Sequence, residues 1–218
     1  MIKAIIFDLD GVIVNSERLK SLAWKKVLEK YGVDNGDEWY KKNIGNTREY
    51  LAKKAIEEFS INDDWKILFD RKANNYFEML KTTTEPIQST VDFIKSIPKE
   101  KYKLAVNSAI NRWVIEHQIG FIGISHLFDV LTSGLDELPR NLDKPHPEIY
   151  LRTARKLNIE PEFCLGIEDS SPGVKSVKAS GMKCIGFINP NSGNQDLSEA
   201  DLIVDDLRKV PLEFYNSQ

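Results

Sequence analysis

Six short apolar runs punctuate the chain: residues 3–7 (KAIIF), 102–106 (YKLAV), 128–132 (FDVLT), 163–167 (FCLGI), 184–188 (CIGFI) and 201–204 (DLIV). Each is nearly continuous rather than alternating with polar positions, which predicts parallel strands covered on both faces. Between the later runs the spacing turns helical. Residues 147–156 (PEIYLRTARK) open with a proline suited to a first turn, and residues 172–180 (PGVKSVKAS) open the same way and stop before Gly181. Strand–helix–strand alternation predicts an α/β fold: a doubly wound (Rossmann-like) parallel sheet whose ligands sit outside the carboxyl ends of its strands.

The first run is followed by a long stretch without strands. Residues 16–83 contain ERLKSLAWKKVLEKYGV, REYLAKKAIEEF and DDWKILFDRKANNYFEMLK, where Leu19, Leu22, Ala23, Val27 and Leu28 recur at helical spacing. The expected organisation is an α/β core of residues 1–15 and 84–218 with an inserted helical cap domain of residues 16–83. Trp24, Trp39, Trp65, Tyr76 and Phe77 fall among the helical patterns and are expected to pack rather than to stack on a ligand.

Composition narrows the function. The 218 residues are 41% hydrophobic and 29% charged, with a net charge of −3, which argues against nucleic-acid partners and anionic membranes. No apolar run approaches the roughly 18–20 residues of a bilayer span, and the opening MIKAIIFDLDG has an apolar run too short for a secretion signal. Cys164 and Cys184 lie in apolar segments and are expected to be reduced thiols, which suggests a cytoplasmic protein. A monomer is expected. His117, His126 and His146 are scattered without metal-ligand spacing.

The polar residues that break the pattern sit where strands end. Asp8 and Asp10 close the first run, one residue apart, before Gly11; Asn107-Ser108-Ala109 follow the second; Glu168-Asp169 end the fourth; Lys144 lies in the loop segment LDKPHPEIY. Each has an ordinary explanation alone: a solvated lysine, a serine capping a helix, an acidic strand exit. By the strand-end rule, however, they converge on one crevice. Acids without His or Cys suit magnesium, a hard cation that prefers oxygen ligands. A carboxylate such as Asp8 can attack phosphorus, and Asp10 would protonate the leaving oxygen and then deprotonate water. Ser108 and backbone N–H groups near Ala109 and Gly11 would hold phosphate oxygens, with Lys144 supplying positive charge.

FDLDGVIVNSE, the strand-end Ser108, DKPHPEIY and GIEDSSPGVKSVKASGM together resemble the four successive motifs of the haloacid dehalogenase-like hydrolase superfamily. The resemblance spans the whole chain and is nearest the branch of β-phosphoglucomutases and small sugar-phosphate phosphatases. It implies that Asp8 is nucleophile and magnesium ligand, that Asp10 is general acid/base with its backbone carbonyl on the metal, and that Asp169 is a ligand. Glu168 would be a ligand or a water-bridged neighbour, and Ser108 and Lys144 would hold the transferring group. Halide-removing relatives lack the second acid at the Asp10 position, so the resemblance favours phosphoryl transfer.

The cap segment Gly45-Asn46-Thr47-Arg48-Glu49 has capping-box spacing from Asn46 to Glu49. In the mutase-like branch an arginine in a similar setting contacts the non-transferring phosphate, which makes Arg48 a candidate, with Lys20, Asn46, Thr47 and the rim residue Arg112. Where β-phosphoglucomutases continue with Ser, Lys and Asn after the second motif, this chain has Ile110-Asn111-Arg112, and Lys20 replaces a histidine common in the first cap helix. The expected activity is therefore a magnesium-dependent phosphatase of a small phosphorylated metabolite. A hexose-phosphate mutase, in which Arg112 would supply the missing charge, and a non-catalytic ligand-binding relative are the alternatives.

Overall fold

In the computed structural model, which describes residues 1–44, 46–211 and 214, six parallel strands form one sheet. They are β1 (Ala4–Asp8), β2 (Lys103–Ser108), β3 (Val130–Ser133), β4 (Cys164–Glu168), β5 (Lys183–Phe187) and β6 (Leu202–Val204). Their order is β3-β2-β1-β4-β5-β6, so successive connections leave β1 in opposite directions and open a crevice at the carboxyl ends of β1 and its neighbours. All six strands overlap the apolar runs of the sequence.

Helices α1 (Glu17–Leu28), α2 (Gly36–Lys41), α3 (Arg48–Glu58) and α4 (Trp65–Leu80) precede α5 (Gln88–Ser96). The remainder, α6 (Arg112–Phe121), α7 (Gly134–Glu137), α8 (Glu148–Leu157) and α9 (Ser171–Ala179), alternate with the strands. Among the described residues no helix is long and apolar enough to cross a membrane.

The period-two geometry of a strand divides each one between two cores. Ile5, Phe7, Leu104, Val106, Leu165 and Ile167 pack with Val91 and Ile94 of α5 and Ile115 and Ile119 of α6. Ala4, Ile6, Ala105 and Cys164 pack with Tyr150 and Ala154 of α8 and Val174 and Val177 of α9. Asp8 and Glu168 continue the second series by parity, so both carboxyls emerge on the α8–α9 side.

The chain divides into two compact units. The α/β unit comprises Met1–Asn15, Glu85–Pro190 and the described chain from Asn194 onward; the helical unit comprises Ser16–Thr84 with Asn191–Gly193. The helical unit has its own core of Trp24, Val27, Leu28, Trp39, Leu51, Ala52, Ala55 and Leu68, against which Trp65 packs partly buried. Trp24 and Trp39 meet edge to face at 5.3 Å, and the Trp39 indole N–H donates to Glu58 at 2.9 Å.

Two local readings differ. The cap of α3 is Thr47, whose hydroxyl accepts from the Tyr50 N–H at 3.3 Å. Asn46 instead turns its amide back to the Asn43 carbonyl at 3.0 Å, a local bond open to asparagine in a turn; Gly45 lies outside the described residues. Helices α2 and α5 also have no counterpart in the sequence reading. The first is too short for periodicity to register, and the second opens on the polar run Gln88-Ser89-Thr90.

Candidate active site

β1 delivers Asp8 to the end of the sheet, only 6% exposed. The chain then turns at Gly11, whose φ of +84° is a conformation that side chains disfavour. The turn is fastened twice: Gly11 N–H donates to the Val14 carbonyl at 2.8 Å, and the Asn189 amide donates to the Gly11 carbonyl at 2.9 Å. Ser108 closes β2, and its hydroxyl donates to Oδ2 of Asp10 at 3.1 Å. Behind it the start of α7 comes so close that a Cβ on Gly134 would stand 3.1 Å from Cα of Ala109.

Lys144 brings an ammonium into this group. Its Nζ donates to Oδ1 of Asp8 at 2.5 Å and to Oε1 of Glu168. Glu168 is held on every side. The Tyr150 hydroxyl donates to its Oε1 at 3.0 Å, while Oε2 accepts from the Ser170 hydroxyl at 3.0 Å and the backbone N–H groups of Asp169 and Ser170 at 3.2 and 3.3 Å. The face of Tyr150 lies 5.2 Å from the Lys144 ammonium. Gly173, in the first turn of α9, makes room for the carboxylate: a Cβ there would fall 2.0 Å from Glu168 Oε2.

Burial pushes the Asp8 carboxyl well above its usual range; Lys144 opposes this, and Glu168, Asp169 and Asp10 add to it. For Lys144, burial pulls down, but Asp8 and Glu168 outweigh it and the ammonium stays charged. Asp8 thus has one lysine and three other carboxyls as charged neighbours, so the site carries an excess of negative charge. A proton or a cation would relieve it.

Oxygens of Asp8, Glu168 and Asp169 lie within 4.8 Å of one another, a spacing that fits a shared metal ion. All are hard oxygen donors on buried side chains, as magnesium prefers. The Asp10 carboxylate is not in that trio; Ser108 holds it.

The structure thus draws together Asp8, Asp10, Gly11, Ser108, Lys144, Glu168 and Asp169. Lys20, Asn46, Thr47 and Arg48 belong to the helical unit. There Lys20 pairs with Glu17 at 2.8 Å, and Arg48 is exposed, with its guanidinium 5.8 Å from the Phe69 ring. Arg112 bonds Glu116 at 3.0 Å, the Leu131 carbonyl at 3.1 Å and Glu137 at 3.3 Å, so its charge is already engaged at the β3 side of the sheet. Tyr150, Ser170, Gly173 and Asn189 serve the site without having been singled out as site residues. Tyr150 closes the motif-like segment DKPHPEIY, and Ser170 and Gly173 lie in GIEDSSPGVKSVKASGM, where the run after the two acids reads as a helix start.

A family model described as haloacid dehalogenase-like hydrolase matches residues 5–187. Over 206 residues the chain is 28% identical to the phosphorylated carbohydrates phosphatase of Thermotoga maritima, with 92% of each chain covered. It is 26% identical to the beta-phosphoglucomutase of Bacillus subtilis, over 99% of this chain and 95% of that one. The crystal structure of a beta-phosphoglucomutase from Clostridium difficile matches with a TM-score of 0.76 at 27% identity, covering 99% of this chain and 96% of that one.

Proposed function

Given that the chain belongs to the haloacid dehalogenase-like hydrolase family, we propose that it is a magnesium-dependent phosphatase of a small phosphorylated carbohydrate, acting through a phospho-Asp8 intermediate. The observation that carries this reading is the Lys144 ammonium bonded to Asp8 and Glu168 in a buried group of carboxylates.

An oxygen of Asp8 attacks phosphorus in line, and the bond from phosphorus to the ester oxygen breaks as Asp10 gives that oxygen a proton. Water, giving its proton to Asp10, then attacks the phosphorus of phospho-Asp8. The acyl phosphate bond breaks, inorganic phosphate leaves, and the Asp8 carboxylate is restored. Ser108 already touches Asp10; in this reading it turns to a phosphoryl oxygen, as Lys144 does. Asp8, Glu168 and Asp169 would hold the magnesium ion, with the Asp10 backbone carbonyl as a further ligand. Bound there, it would neutralise charge on the phosphoryl oxygens. The helical unit is read as a cap, and Lys20, Asn46, Thr47 and Arg48 as the residues that select the ester.

Similarity to beta-phosphoglucomutase along nearly the whole chain favours a second reading, a hexose-phosphate mutase. The ion pairs of Arg112 weigh against it, because that arginine would have to supply the missing charge. Phosphate release from a panel of sugar and polyol phosphates, with magnesium or a chelator, separates the two. Magnesium-dependent release that Asp8→Asn abolishes supports the phosphatase. Isomerisation of a hexose phosphate without release would replace it with the mutase.

A further inference from the structure

Asn107, the residue before Ser108, is fully buried, and neither Oδ1 nor Nδ2 of its amide has a hydrogen-bond partner among the described residues. The sheet register sets it opposite Asp8 on β1 and Thr132 on β3. Opposed residues of parallel strands share a face, so the three stand in one row on the α8 side. The preceding row, Ile6, Ala105 and Val130, is apolar. Within the polar row the Thr132 hydroxyl is bonded to that of Thr153 on α8 at 2.9 Å, and Asp8 is bonded to Lys144 at 2.5 Å. The amide between them has both of its polar atoms unspent.

A leucine would fill a similar volume without leaving buried polar atoms unpaired, so such an amide points to a partner gained in another state of the site. The phosphoryl-transfer reading supplies that state. Two of the three Lys144 donors are spent on Asp8 and Glu168, and turning the ammonium toward phosphoryl oxygens draws it off Asp8. We propose that Asn107 is a positioning residue for Asp8: its Nδ2–H takes the carboxylate oxygen that Lys144 leaves and keeps the other oxygen aimed at phosphorus. The proposal rests on the reading of this site as a phosphoryl-transfer centre.

The test is phosphate release by the full chain carrying Asn107→Leu or Asn107→Ala, measured beside thermal unfolding. Loss of one donor to a carboxylate predicts a kcat about 10- to 100-fold lower with KM changed by less than about threefold. Asn107→Leu should at the same time keep or raise Tm, which a packing role would not do. A kcat equal to wild type in both variants overturns the proposal, and so do kcat and Tm falling together in both. A wild-type protein that hydrolyses no ester overturns the phosphatase reading instead. The side-chain amide signal of Asn107 in 15N spectra then decides alone: movement on adding magnesium and inorganic phosphate supports the contact, and a stationary signal overturns it.

Discussion

Nζ of Lys144 lies 2.5 Å from Oδ1 of Asp8, and the same ammonium bonds Glu168. Lys144 and Asp8 are both nearly closed to solvent, with side chains 13% and 8% exposed. A pair this buried is costly to break from one side, since the remaining charge has no water to turn to.

Lys144→Met is therefore expected to lower kcat about 100- to 1,000-fold and to reduce unfolding free energy by roughly 3 kcal/mol at neutral pH. Burial and the neighbouring acids raise the native pKa of Asp8 above its unfolded value. The folded state thus holds that proton more tightly, and the penalty fades as pH falls toward the unfolded carboxylate pKa of about 4. Urea midpoints of wild type and variant between neutral and mildly acidic pH check the sign: a gap that widens on acidification contradicts it.

At Gly173 the constraint is steric, since an added Cβ would meet Glu168 Oε2 at 2.0 Å. Gly173→Ala should cost about 1–3 kcal/mol through overpacking and should lower kcat as well. Gly181→Ala is the comparison. Its φ of +80° imposes backbone strain with nothing within 4 Å to strike, so about 1 kcal/mol of stability should go with activity intact. Equal activity losses in the two variants would show that the fit to Glu168 has no special weight.

Metal should announce itself in stability before turnover is measured. The oxygens of Asp8, Glu168 and Asp169 are gathered within 4.8 Å in the folded chain, and a cation that binds only the folded state stabilises it. Magnesium at about ten times its dissociation constant should raise Tm by roughly 2–5 °C. Asp169→Asn should abolish most of that rise. A wild-type Tm indifferent to magnesium would speak against the trio as ligands.

Neither thiol should react in the folded protein. Burial, with Glu160 nearby, pushes Cys164 up to about 12, and burial with Glu168 and Asp201 raises Cys184 further. Both are fully enclosed. Ellman's reagent at about pH 8 should modify neither until denaturant is added, and then both. Because the native pKa is raised, the contribution of Cys164 to stability is whole below the unfolded thiol value of about 8.5. It is lost as pH rises through about 12. Rapid labelling of the native protein would contradict the enclosure.

Much of this was open to reading from the chain. Strands covered on both faces leave unbroken apolar runs, and acids that interrupt such runs at Asp8 and Glu168 have few structural reasons to be there. What escaped depended on neighbours distant in sequence. Tyr150 sits on the buried stripe of an amphipathic helix with Ile149, Thr153 and Ala154, so its periodicity accounts for it fully and hides the hydroxyl on Glu168. Arg112 looked available until Glu137, 25 residues on, claimed its charge. Thr47 and Asn46 are adjacent residues that both suit a helix cap, and only the backbone path around α3 decides between them.

Asp8 and Lys144 meet across 136 residues, and Asp10 and Ser108 across 98. No local segment contains even half of the site, and β1 waits for β2 and β4, both far along the chain, before it has a partner on either side. Contacts of such sequence separation form slowly, because chain entropy is spent before they reward it. Recovery of turnover after dilution from denaturant should therefore trail the return of helical signal, making catalysis a reporter of when the sheet is complete.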